Sequence, residues 1–350
     1  MGFPPDYYMT EHRPPGSSAV LALIADLEAN RGRGAWELTC RAMLLAGYRF
    51  GAVDIQNRPL SVDQTPTLVL ASARYMAATI QEKLSAWLQA GGGLLLFGDV
   101  PGLDMEGRPC TLLADALGVR AIGSVFARSD YFLSVAAAAW TSPRPEVRVD
   151  YVHLFEGADA EPIFVAADSG AMCGFEVRVG AGKAIVVTTS YVCDIDFYRT
   201  ALERLGAAAG LRHNFRDHGI FMTSAANSYG ERFIHLINLD GFDKDLRIFS
   251  DGKPVFGDMS LRLFSRTALM LPVGVQVGLA KIVRSTAEIR EVGADQITFR
   301  LTQPRDHIVL ATNRTILPGS DYQLEPCGEG ASVTSLKDAR TADDLVLRFV

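Results

Sequence analysis

No basic stripe and no long apolar run mark this chain. Its 34 Lys and Arg against 40 Asp and Glu leave a formal charge of -6, with both signs interspersed. A phosphate backbone would therefore meet no concentrated positive surface, which argues against nucleic-acid binding. No apolar stretch reaches the ~20 residues of a membrane-crossing helix. The opening MGFPPDYYMTEHRPPG has neither a basic n-region nor an h-region, so the chain reads as soluble and cytoplasmic. Cysteines are few and scattered: Cys40, Cys110, Cys173, Cys193 and Cys327 give an odd count with no C-x-x-C spacing. A disulfide framework or thiolate zinc site is not expected, and free thiols are the default. Of six histidines, only His213 and His218 are close, and a separation of five residues does not align them on one helix face. No metal or cofactor is expected. Internal repeats and low-complexity runs are also absent.

What the sequence does have is hydrophobic content, 48% against 21% charged, the balance of a folded globular protein. After an N-terminal extension over 1–16, a domain over 17–212 alternates helical and strand patterns. SSAVLALIADLEANRG and WELTCRAMLLAG carry apolar residues at helical spacing, with Gly47 placed to cap the second. FGAVDI, TLVLAS and LLLFG are short strand-like runs. Between the last two lies a helix whose stripe is Met76, Ile80, Leu84, Trp87 and Leu88. That strand, helix, strand order predicts parallel, doubly buried strands. CTLLADALG reads as a short helix, EVRVDYVHLF and PIFVAA as strands, FEVRVGAGKAIVVTTS as a hairpin and DIDFYRTALERLG as a helix. Together they predict an α/β, flavodoxin-like or doubly wound layer structure with antiparallel additions.

Residues 213–350 have a different texture. RFIHLINL, DLRIF, SLRLFSR, QITFRL, HIVLAT and LVLRFV are separated by turn signals, and Asp251-Gly252 is a two-residue hairpin signal. QITFRL alternates, with Ile297, Phe299 and Leu301 on one face. An antiparallel β-sandwich is expected, with a division into two small sheets near residue 275.

Chemical motifs are sparse. In WLQAGGGLLLFGDVPGLD the glycines follow a helix and precede a strand, the reverse of a phosphate-binding loop, so Gly91 to Gly93 read as a helix cap and strand entry. GAGK at 180–183 lacks the Walker spacing and reads as a hairpin turn. Cys193 follows a strand and precedes a helix, as a nucleophile would. Val192 and Asp194 are not the small neighbours of a nucleophile elbow, and an adjacent carboxylate raises a thiol pKa. Asp194 reads better as a helix N-cap. The carboxylates Asp99, Asp104, Glu106, Asp194 and Asp196 follow strands, where open α/β sheets bind ligands, and form the candidate ligand loops. DGFDKD at 240–245 lacks the alternation of a calcium loop and reads as a turn. Aromatic platforms for sugar in the second half would be Tyr229, Phe242 and Phe256.

The stretches DYYMTEHRPPG, ADLEANRG, CRAMLL, FGAVDIQNRPL and ARYMAATIQEKLSAWLQAGGGLLLFGDVPGLDMEGRPCTLLADALG resemble the region after the catalytic barrel in bacterial β-galactosidases of glycoside hydrolase families 35 and 42. GFEVRVGAGKAIVVTTSYVCDIDFY with LERLG resembles the end of the same domain, and RFIHLINLDGF the start of the β-domain beyond. The resemblance covers residues 1 to about 245. It implies a class I glutamine-amidotransferase-like domain without its nucleophile, used in family 42 for trimer assembly. The family's catalytic glutamates lie on a (β/α)₈ barrel, for which this chain has too few strand-helix units. No catalytic residue is carried over. The resemblance implies the C-terminal portion of a longer galactosidase-like polypeptide, with Met1-Gly2 a product of truncation. Its role would be accessory and non-catalytic, with a second copy or a catalytic barrel as partner. The alternatives are a free-standing amidotransferase-like hydrolase, or a sugar-binding module.

Overall fold

The computed structural model describes residues 21–25, 35–48, 50–128, 132–138, 140–141, 146–191, 193–207, 210–215, 219–328, 330–342 and 344–350. The expected extension over 1–16, Val192 and His218 lie outside them. Two compact units divide the chain, Met1–Ala209 and Gly210–Val350.

In chain order, the first unit contains β1 (Leu21–Ala25), α1 (Ala35–Leu45), β2 (Gly51–Ala52), β3 (Thr67–Ser72), α2 (Ala78–Gln89), β4 (Gly93–Gly98), α3 (Leu112–Leu117), β5 (Arg120–Phe126), β6 (Leu133–Ala137), β7 (Glu146–Val149), β8 (Tyr151–Glu156), β9 (Glu161–Ala166), β10 (Met172–Val179), β11 (Gly182–Val187) and α4 (Ile195–Arg204). Among the described residues all eleven of these strands join one sheet. Its parallel part runs β2-β1-β3-β4-β11. The antiparallel part continues β10-β9-β6-β7, with β8 also beside β10 and β5 beside β8.

The doubly apolar runs explain the parallel part. Leu68, Leu70, Leu94 and Leu96 enter one core with Leu84, Trp87 and Leu88 of α2 and Leu113 and Leu117 of α3. Val69 and Leu95 enter the opposite core with Met43 of α1 and Ala201 and Leu202 of α4. Period-2 alternation sends successive side chains to opposite faces, so each strand feeds both cores.

One expectation is corrected here. The stretch read as a helix over 17–32 contains strand β1, which pairs in parallel with β3 from Leu21↔Thr67 to Ala25↔Ala71. LALIA carries too short an apolar run to separate a buried strand from a helix by period. The flavodoxin-like layer structure is not shown: over the described residues of both units strand accounts for 47% and helix for 12%, and a sheet curls into a half-barrel, so β dominates. Strands β5 and β6, from a stretch that gave no sequence signal, supply part of that antiparallel excess.

The glycines of GGG each have a structural task. Gly91 N–H bonds Leu88 O at 3.0 Å and Gly92 N–H bonds Trp87 O at 3.0 Å, the paired bonds of a Schellman cap, with Gly91 at φ +114°. A Cβ on Gly92 would lie 2.3 Å from the Trp87 ring. GAGK is a two-residue turn closing the β10-β11 hairpin at Val179↔Gly182.

Among the described residues the strand pairings of the second unit are all antiparallel. A seven-stranded sheet runs Ile220–Ala226, Arg232–Asn238, Ala268–Val277, Ala280–Ser285, His307–Ala311, Gly330–Ser335, Tyr322–Cys327. Three smaller sheets accompany it, among them Glu288–Val292, Gln296–Arg300 and Asp344–Arg348. Ile297 and Phe299 are fully buried and Leu301 nearly so. Asp251 at φ 51° and Gly252 at φ 76° make the two-residue turn between Ile248–Ser250 and Lys253–Pro254. The expected sheet division near residue 275 falls inside the continuous strand Ala268–Val277 and is corrected. What does change around that point is the core: one cluster gathers Leu211 to Leu271, another Ala280 to Phe349.

Candidate functional site

Strand β4 emerges from the core at Gly98, whose φ of +107° turns the chain sharply. Asp99 N–H then bonds Ser72 O at 3.0 Å, which keeps the residue beside the end of β3. Asp99 thus stands at the carboxyl end of the parallel strands, with Arg74 close enough to act on its charge. Burial pushes the Asp99 carboxyl up, against the pull of His153, the Val100 N–H and Arg74.

His153 comes from β8, and its surroundings follow from register. In the β5-β8 ladder Ser124 lies opposite His153, and Phe126 opposite Tyr151. Directly opposed residues share a face, as do residues two apart, so these four side chains tile one face. Ser124 Oγ lies 2.7 Å from His153 Nδ1. The rings of Tyr151 and His153 are 5.1 Å apart, and Phe126 lies 6.0 Å from His153 and 6.4 Å from Tyr151. Phe126 is 58% exposed. Burial, then Asp99 and Asp150, push the Tyr151 phenol up, so at neutral pH it remains a hydrogen-bond donor.

The segment after β11 clamps β8 in place. Thr188 Oγ1 donates to His153 O at 2.8 Å, Thr189 Oγ1 donates to Tyr151 O at 2.9 Å, and Ser190 Oγ accepts from Asp150 N–H at 2.7 Å. TTS therefore serves backbone bonding. The tile itself combines an imidazole, a phenol, a hydroxyl and an exposed ring, and the Asp99 carboxyl acts on it electrostatically.

The other expected site residues are not brought to this place. Asp104 Oδ1 accepts from the N–H groups of Glu106 and Arg108 at 2.9 and 2.8 Å, shaping its own turn. Glu106 pairs with Arg108 at 2.8 Å in solvent. Asp194 caps α4, accepting from Phe197 N–H at 2.8 Å, and Asp196 follows in its first turn, 3.5 Å from Arg199. Replacement of Asp194 by Ala should cost about 1 kcal/mol, read as a lower denaturation midpoint of the first unit. Cys193 has chemistry opposed to nucleophilic use: burial and then Asp194 push its thiol well up, and Sγ lies 3.8 Å from Tyr191 O.

In the second unit the proposed aromatic platform does not assemble. Phe256 is 4% exposed and belongs to the core. Tyr229 lies in the turn before Arg232–Asn238 and Phe242 beyond its other end, separated by a seven-residue strand, roughly 20 Å. DGFDKD folds as a turn around the buried Lys244, which pairs with Asp240 and lies 5.0 Å from the Phe242 ring. Its Asp243 is engaged by Arg262 and the Ser265 N–H. Among the described residues no group of three His, Cys, Asp or Glu is arranged to hold a metal ion, and no helix is long and apolar enough to cross a membrane.

Of the site, sequence reasoning found Asp99 and missed the tile residues Ser124, Phe126, Tyr151 and His153. The available signal was YVH in β8, which places Tyr151 and His153 on one face. Its partner β5 was hidden by Gly123 and by the register shift between Ala121 and Gly123.

Comparison with known proteins agrees on the kind of region. The family described as GLMA-like, second domain, matches residues 19–161, a span that contains the whole tile. An exo-β-D-glucosaminidase of Thermococcus kodakarensis is 29% identical over 271 residues, covering 74% of this chain and 33% of that enzyme. The exo-β-D-glucosaminidase of Pyrococcus horikoshii is 24% identical, covering 74% and 32%. The chain thus spans about a third of the length of these curated relatives. Among solved structures, β-galactosidases from Rahnella and from Bacillus circulans align with TM-scores of 0.58 and 0.55, each at 14% identity. Each covers 73% of this chain, against 40% and 41% of the respective enzymes. At that identity the likeness is one of fold. The chain is similar to a region that makes up about a third of a glycoside hydrolase.

Proposed function

We propose that the chain is a non-catalytic accessory and assembly region of a β-galactosidase- or glucosaminidase-type glycoside hydrolase acting in the cytoplasm. One observation carries this reading: the similarity extends over most of this chain yet takes in only a third of the glucosaminidase. The candidate carboxylates agree with it, since Asp104, Glu106, Asp194 and Asp196 are engaged in turns, a cap or solvent pairs, so none of these four pairs with Asp99 to flank a glycosidic bond. The parallel strands with helices on both faces fit descent from an amidotransferase-like layer domain, and the second unit would be the accompanying β-domain.

Assembly would use the first unit's exposed apolar side chains, among them Met105 and Phe132, against a second copy or a catalytic barrel. The purified chain is expected to show no turnover of nitrophenyl β-galactoside or β-glucosaminide. Light scattering is expected to give a multiple of 37.9 kDa. Hydrolysis at an ordinary enzymatic rate would sink the non-catalytic reading, and a monomer at all concentrations would remove the homo-oligomer.

A further inference from the structure

We propose that the tile formed by Ser124, Phe126, Tyr151 and His153, bordered by Asp99, binds the pyranose ring of a saccharide. The first support is geometric. Four side chains converge on one face through strand register, and β8 is fixed behind them by three side-chain bonds from residues 188–190. Such a face is preorganised, because its polar groups need little ordering when a ligand arrives.

The second support is chemical. A pyranose has an apolar C–H face and a rim of hydroxyls that both donate and accept. Phe126 offers an exposed apolar ring, extended by Tyr151 and His153. Around it stand a phenol donor at Tyr151 and a hydroxyl at Ser124, and the acceptor carboxylate of Asp99 lies near enough to act on the charges of His153 and Tyr151. Ser124 holds the imidazole of His153 through Nδ1, leaving Nε2 as the ring's second polar atom.

Other ligand classes fit less well. An anion would meet the Asp99 charge in a partly buried place, where repulsion is weakly screened. A purely apolar segment would bury Asp99 and His153 without replacing their hydrogen bonds with water. A neutral polyhydroxylated ring satisfies both the aromatic and the polar groups. Its stacking would be on Phe126, and its hydroxyls would lie toward Asp99. This goes beyond the accessory role and is independent of it, since a sugar can bind here whether or not the chain assembles.

Saturation-transfer NMR on the full chain with methyl β-galactoside, methyl β-glucoside and methyl β-glucosaminide tests the inference. At least one is expected to receive saturation on its ring C–H protons, with a dissociation constant on the order of millimolar for so small a surface. Phe126→Ala should weaken binding at least about tenfold, whereas Phe126→Tyr should retain it. Asp99→Asn should weaken binding severalfold by replacing one acceptor oxygen with a donor. Phe126 is exposed, so an unchanged thermal midpoint is the expected control for its variants. Absence of transfer to all three glycosides, or transfer of equal strength in Phe126→Ala, would overturn the proposal. The oligomer mass does not enter this test, so failure of the assembly reading is seen separately.

Discussion

Gly98→Ala is expected to destabilise the first unit by about 3 kcal/mol or more. Two costs coincide at this position. A φ of +107° lies in a region that an L side chain rarely adopts, and a Cβ there would sit 2.0 Å from Ser72 O. That oxygen belongs to the backbone of β3, paired with β4 at Ser72↔Gly98, so relief requires opening the ladder at its end. All three tryptophans, Trp36, Trp87 and Trp140, lie in the first unit, so their fluorescence on denaturation reads its stability alone. Gly102 is the control, because a Cβ there meets nothing within 4 Å. Its Ala variant should stay within about 0.5 kcal/mol of the parent. A Gly98→Ala midpoint equal to that of Gly102→Ala would show that the turn tolerates a side chain. The same substitution should weaken glycoside binding, since Asp99 is held in place by the bond from its own N–H to Ser72 O.

The contrast between Asp99 and its tile partners shows which information the sequence carries. Asp99 was legible because a buried strand, a glycine and an acid in succession mark a strand end, and strand ends in parallel sheets bind ligands. Its partners depend on the pairing of β5 with β8, a contact 29 residues apart for Ser124 and His153. No local period encodes that register, and a bulge in β5 blurs the little alternation it has. Helices α1, α2, α3 and α4 were legible from their stripes and caps, as were the β10-β11 hairpin and the Asp251-Gly252 turn. The five residues of β1 were not, since an apolar pentamer fits either a buried strand or a helix. The antiparallel share of the sheet was only partly legible for a related reason. The parallel strands have continuous apolar runs, whereas the mixed pattern of β5 and β6 looks like loop.

Glu176 illustrates the same limit at a buried charge and gives the second large expected effect. Within MCGFEVRV it looks like an outward-facing residue of a strand, yet it is 6% exposed. Lys183 Nζ lies 2.9 Å from Oε1, while Arg204 Nε and Trp140 Nε1 donate to Oε2 at 2.8 and 3.1 Å. Arg204 also lies 5.1 Å from the Trp140 ring centroid, which joins α4 to residue 140 around one carboxylate. Glu176→Ala leaves these donors facing a void. The expected cost is about 3 kcal/mol, toward the low end for a broken buried pair because Lys183 and Arg204 retain some solvent. Burial alone would raise the Glu176 carboxyl, but the hydrogen bonds from Lys183, Arg204 and Trp140, with the Lys183 charge, hold it below its ordinary 4.5. A depressed folded-state pKa means that the carboxylate's contribution is complete above 4.5 and is lost as the pH falls through the folded value. Glu176→Gln should therefore lie below the parent at neutral pH and converge on it in acid. The midpoint of tryptophan fluorescence, followed from neutral pH to below 4.5, reads this directly, since quenching of Trp140 alters amplitude and leaves the midpoint intact. A constant difference across that range would place the stabilisation in packing of the side chain and remove the charge from the explanation.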